Sequence, residues 1–279
     1  MKKEDIILRK IANTLIVYSY HIEENGLIGK TGAMFFLYLF AEHFDNQTCY
    51  DFAGDLLDGL MKSTSNAPSS FEEGLAGLGW SVGSLMRKGV VEGNPNTVLK
   101  NIDKKLIDYM TRERWSENWN ELIYFADRIH DRPSPVNNCN VAELVFTYIK
   151  WQIKERCHGH LPVKRHKAVR HYLKNYRVIY GKSNDFTELW QYVSQSAADD
   201  QEDGSPYNTP ATTVENLITS ILWQKIFNNK DTYRRLDCSE LDEYVDATLQ
   251  RLSPTEMSLF GGIVGLGTVL LYNKQSFNN

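Results

Sequence analysis

A glycine motif returns three times along this chain of 279 residues, each time ahead of an apolar run. GKTGAMF begins at Gly29, GLAGLGW at Gly74 and GIVGLGT at Gly262, and all three share GxxG followed by an apolar residue. The first two starts lie 45 residues apart; the second and third lie 188 apart, close to four further units of the same size. A fixed period of this length is the signature of a repeat architecture, and one unit is long enough for two helices and two turns. WNELIYFADRI (119–129) falls about where the third copy belongs and keeps the apolar helix without the glycines. Gly74 and Gly77 are expected to allow a tight turn into a closely packed helix that begins before Trp80.

Helical spacing dominates between these marks. Ile6, Ile7, Ile11, Leu15 and Ile16 predict a helix over about 4–21, and Phe52, Leu56, Leu57 and Leu60 another over about 49–64. Met34 to Ala41 predicts an almost wholly apolar helix, and Val98, Ile102, Leu106 and Met110 an amphipathic one. No long stretch alternates with period two, so the expected class is all-α. A helix apolar all round must be buried, whereas an amphipathic one can face water. Alternating the two kinds around a closed ring gives an α/α toroid of about six helix hairpins, one domain over 1–279. An open solenoid is the alternative. The apolar C-terminal run Phe260 to Tyr272, where a solenoid needs a polar cap, favours the ring.

Bulk properties narrow the function. A net charge of -4 gives no reason to expect nucleic acid or a membrane surface as the partner of the whole molecule. The longest apolar run, Ala33 to Ala41, is nine residues, well short of the ~20 that a membrane span needs. The N-terminal residues are spaced as an amphipathic helix rather than a signal peptide. Cys49, Cys139, Cys157 and Cys238 form no CxxC pair, and reduced thiols in the cytoplasm are expected.

Four constellations could carry chemistry. Glu72 and Glu73, directly before Gly74, could serve as acid and base beside a cavity, as in toroidal carbohydrate-active enzymes. The competing reading is a capping box with Ser69 or Ser70, an acid in the first turn suiting the helix dipole. Cys157-His158, with His160 or His166, could hold zinc; otherwise this is an exposed His-rich basic turn. Gly29-Lys30-Thr31 carries the last letters of a phosphate loop but lacks its earlier glycine and preceding strand. Finally, Lys154 to Lys182 holds nine Lys or Arg, four histidines and one acid, Glu155. On a helix from about 164, Val169, Leu173, Tyr176 and Tyr180 form an apolar stripe beside Lys164, Arg165, Lys167, Arg170, Lys174 and Arg177. This basic face suits an acidic peptide or protein partner. The bland reading is a solvated face balanced by Asp185, Glu188 and the acids of 199–203. The acidic, turn-rich DDQEDGSPYNTPATT (199–213) reads as a surface loop.

The runs GLIGKTGAMFFLYLF, FEEGLAGLGWSVGSLMRKGVVEGN and GGIVGLGTVLLYN resemble the GxxG repeats of the lanthionine synthetase C-like family, over roughly 24–108 and 258–272. The resemblance implies the α/α toroid. It also implies where a cyclase would hold zinc: a Cys from one glycine turn and a Cys-His pair directly before the Gly of another. Here those places hold Glu72 and Glu73, Phe260 and Gly261, or Leu27 and Ile28, and no GxxG turn contains a cysteine. The implied function is therefore a peptide- or partner-binding component of peptide modification, without cyclase activity and without a cofactor. A zinc-dependent enzyme with a site moved to Cys157 and His158 is the alternative.

Overall fold

The computed structural model describes residues 2–23, 25–131, 135–136, 139–156, 161–195, 213–228, 238–251 and 257–276; for Pro135, Val136, Cys139, Arg156, Val163, Gln195, Asn228, Cys238, Ser239, Glu240, Asp242, Gln275 and Ser276 only the backbone is described. Among these residues the chain is all-α apart from one two-residue antiparallel ladder, Pro135–Val136 with Cys139–Asn140. The helices are α1 (Lys3–Tyr18), α2 (Lys30–Phe44), α3 (Gln47–Lys62), α4 (Leu75–Arg87), α5 (Pro95–Val98), α6 (Lys100–Thr111) and α7 (Glu121–Arg128). They continue as α8 (Val141–Trp151), α9 (Val163–Tyr180), α10 (Asn184–Gln195), α11 (Val214–Asn228), α12 (Cys238–Arg251) and α13 (Ile263–Ser276). No helix among the described residues is long and apolar enough to cross a membrane.

The alternation of apolar and amphipathic helices expected from the sequence is present. In α2 every residue from Thr31 to Ala41 is buried, whereas its partner α3 buries only Cys49, Ala53 and Leu60. Each large apolar side chain taken out of water in such a helix contributes ~1.5–3 kcal/mol. The same contrast separates α4, buried from Leu75 to Gly83, from α6, which buries Ile102, Asp103, Leu106 and Met110. Asparagines start two of the amphipathic helices: the side chains of Asn46 and Asn140 accept from the N–H groups of Cys49 and Ala142.

The chain divides into two compact units. One comprises 1–67, 72–74 and 205–279; the other comprises 68–71 and 75–204. In the first unit α2 forms a hairpin with α3, and α13 packs between α2 and α11, while α1 lies against α2, α12 and α13. In the second, α4 packs on α7 and α6, α7 packs on α9, and α9 packs on α10.

Candidate functional site

The glycine motifs are where backbone meets backbone. In the first unit the N–H of Leu259, before α13, donates to the carbonyl of Leu27, before α2 (3.1 Å). The N–H of Ile28 in turn donates to the carbonyl of Glu72 (3.1 Å), so the three glycine turns are hydrogen-bonded in series. A Cβ on Gly32 would overlap the carbonyl oxygen of Leu27, and one on Gly265 that of Leu259. The second glycine of GxxG is therefore needed because the preceding turn folds back over the first turn of the helix.

A further glycine, two residues on, seats an aromatic ring. A Cβ on Gly79 of α4 would lie 2.5 Å from the ring of Tyr124 on α7, and one on Gly267 of α13 would overlap the ring of Phe36 on α2. Trp80, buried beside Gly79, stacks edge-on against Phe71 at 5.6 Å between centroids.

Glu72 and Glu73 occupy the turn itself. Glu72 is half-buried and gives its carbonyl to Ile28; Glu73 is exposed, and its backbone lies so close to Gly26 that any side chain there would collide. Capping by Ser69 does not occur. Its hydroxyl lies 2.7 Å from Glu121 Oε1 and 3.1 Å from the Arg114 carbonyl. The N–H groups of Leu75 and Ala76 are met instead by the carbonyls of Pro68 and Ser69. Glu121 is fully buried and also accepts from the amide and hydroxyl of Ser116.

The densest polar cluster is one that sequence reasoning missed. Asp103, buried on α6, accepts from the hydroxyl of Tyr124 (2.5 Å) and from Nε (3.2 Å) and a terminal nitrogen (2.8 Å) of Arg128. Arg128 also bonds Asp131 (2.9 Å) and Asn96 (3.2 Å). Arg87 at the end of α4 pairs with Asp127 at 2.6 Å and with Asp131 at 3.3 Å. Burial opposes the charge on Arg128, but its carboxylate partners outweigh that and raise its pKa further. Burial likewise raises the Tyr124 hydroxyl far above the ordinary phenol range. Burial also raises the carboxyl of Asp127, against the pull of Arg87. With its nitrogens engaged by Asp103, Asp131 and Asn96, Arg128 acts as a clamp between α6, α7 and the turn after α7. The one sequence signal was Asp103, an acid inside the apolar stripe Leu99, Ile102, Leu106 and Met110.

The basic residues divide into two sets. Lys164 pairs with Glu117 at 3.0 Å, and Arg165 bonds the Glu117 carbonyl at 2.9 Å while covering the ring of Trp119 at 4.3 Å. Those two are anchored. Lys167, Lys174 and Arg177 are exposed and Arg170 half-exposed, with Val169, Leu173 and Tyr176 buried on the other side of α9. His166 is buried and its Nε2 lies 2.8 Å from the Leu161 carbonyl, a structural hydrogen bond rather than a free ligand. Asp185 and Glu188 do not neutralise α9: they pair with Lys150 (2.7 Å) and Lys154 (2.8 Å). Cys157, His158, His160 and the acids of 199–203 lie outside the described residues. Among the described residues no group of three His, Cys, Asp or Glu side chains is arranged to hold a metal ion.

Comparisons with family models, with curated proteins and with solved structures found no match to this chain.

Proposed function

We propose that this chain is a lanthionine synthetase C-like toroid of six helix hairpins, a cytoplasmic component of peptide modification that binds a peptide or partner protein and carries no cyclase activity. Among the described residues there are twelve helices of eight or more residues, which taken two by two in chain order make six successive pairs: α1–α2, α3–α4, α6–α7, α8–α9, α10–α11 and α12–α13. The second members are α2, α4, α7, α9, α11 and α13. Within the two units, α4–α7, α7–α9, α11–α13 and α13–α2 are in contact, as neighbours in a cyclic series would be.

One observation carries the reading. The C-terminal helix α13 meets α2 as α4 meets its successor α7, a glycine of the first receiving an aromatic ring of the second: Gly267 with Phe36, Gly79 with Tyr124. The turn bonds run in the same sense, from Leu259 to Leu27 and from Ile28 to Glu72. A last repeat that treats the first as its successor supports a ring over an open solenoid. The absence of cysteine from all three glycine turns supports binding rather than zinc-dependent cyclisation. The fourth helix of the series, α9, carries Lys164, Arg165, Lys167, Arg170, Lys174 and Arg177 and is the natural partner surface.

The test uses the purified chain and a synthetic peptide containing one dehydroalanine and one cysteine. The expected result is saturable binding by fluorescence anisotropy, with thiol consumption no faster than in buffer, with or without added zinc. Stoichiometric zinc that disappears on Cys157→Ala, together with zinc-dependent loss of the thiol, overturns this reading in favour of a site at Cys157 and His158.

A further inference from the structure

Helix α9 has no acidic residue in its 18 positions, in a chain that is net acidic. Of its six cations, Lys164 and Arg165 are held by Glu117 and Trp119, and Lys167 is engaged as well. Among the described residues, none of the remaining Arg170, Lys174 and Arg177 is paired with an acid, and the two acids of α10 nearest in sequence are committed to Lys150 and Lys154. These three cations fall at i, i+4 and i+7, one face of a helix. Val178, four residues after Lys174, extends that face and leaves 74% of its surface in water. Neither the exposed aliphatic side chain nor the row of uncompensated cations stabilises the isolated molecule.

Resting on the partner-binding reading above, we propose that Arg170, Lys174, Arg177 and Val178 form a docking ridge for an acidic amphipathic helix of a partner protein. The occupant presents carboxylates at i, i+4 and i+7 and an apolar residue next to the last of them, one turn after the second. The spacing selects a helix over an extended segment. Arg170 and Arg177 are ~10 Å apart along the axis, at 1.5 Å per residue, so a second helix lying alongside repeats its acids in the same register. An extended strand advances ~3.3 Å per residue and turns alternate side chains to opposite faces, so it cannot bring three acids to this row in register. The apolar contact at Val178 also distinguishes this partner from a nucleic acid, whose backbone offers charge alone.

The test uses the full chain and two labelled 18-residue alanine-based peptides of identical composition. One carries Glu at i, i+4 and i+7 with Leu at i+8; in the other the same residues are spread around the helix. The patterned peptide is expected to bind at least about tenfold more tightly at low salt, and Arg170→Glu/Lys174→Glu/Arg177→Glu to weaken it by about tenfold or more. Val178→Asp is expected to weaken it as well, and a Lys-patterned peptide to gain affinity for the reversed variant. Circular dichroism checks that the variants fold; if the reversal does not, the triple Gln variant gives the same comparison. Equal binding of the two peptides, indifference to the α9 substitutions, equally tight binding of a single-stranded RNA, or no binding at all overturns the ridge. A peptide that binds elsewhere on the chain removes the ridge and leaves the broader reading standing. Zinc-dependent thiol consumption removes the broader reading whatever the ridge result.

Discussion

Glycine in this chain has two different roles, and the difference is measurable. Gly265 is pressed against the Leu259 carbonyl and lies within 2.8 Å, at its would-be Cβ, of Ile218. Gly265→Ala must displace backbone, and a loss of about 1–3 kcal/mol is expected in urea unfolding. Gly59, in α3, has nothing within 4 Å of its would-be Cβ. Gly59→Ala is expected to gain ~0.5–1 kcal/mol, because only the helix-interior cost of glycine is removed. A Gly265→Ala variant as stable as the parent sinks the account of the folded-back turn. The clamp is testable in the same way. Asp103→Asn strips the buried Arg128 of its main counter-charge and is expected to cost ~3–5 kcal/mol. The double replacement Asp103→Leu/Arg128→Met is expected to cost less than the sum of its single changes, and strict additivity argues against coupling. The glycines were legible in the sequence because their spacing repeats. The clamp was not, because an acid and a base 25 residues apart announce no pairing until a fold brings them together.

Among the elements, the helices themselves were legible. The expected spans 4–21 and 49–64 correspond to α1 (Lys3–Tyr18) and α3 (Gln47–Lys62), and the stripe Val169, Leu173 and Tyr176 is the buried side of α9. Periodicity encodes which face of a helix is buried, so this is what it can deliver. It does not encode the partner. Ser69, one of the two serines read as a helix cap, proved to serve Glu121. Asp185 and Glu188 read as counter-charges for α9 and proved to serve α8 and the turn after it. The first and last helices carry a pH-dependent tie. Lys274 of α13 hydrogen-bonds Asp5 of α1 and holds that carboxyl below its ordinary value of 3.8, against the opposing effect of burial. A depressed folded-state pKa contributes stability above the unfolded value and loses it as pH falls through the folded one. The stability of the native chain should therefore fall more steeply below about pH 4 than that of Asp5→Asn, by ~0.5–1 kcal/mol for a pair this close to the surface. Parallel curves for the two proteins between pH 5 and 2 (the unfolded reference lying near 3.9 for Asp) contradict the tie.

At the scale of the molecule, the sequence already displayed the all-α class and the recurrence of the glycine motifs ahead of apolar helices. The absence of cysteine before each glycine was likewise written in the chain and set the direction of the functional reading. Tertiary structure alone decided three things: that the turn before α13 bonds to the turn before α2, that Gly79 and Gly267 receive rings from α7 and α2, and that three cations of α9 lack acids among the described residues. The physical reason is the same in each case. Helix formation and burial depend on local spacing and hydrophobicity, which a sequence displays directly. Hydrogen bonds between turns, and the choice of which carboxylate neutralises which cation, depend on distances between residues far apart in the chain, and those exist only after it has folded.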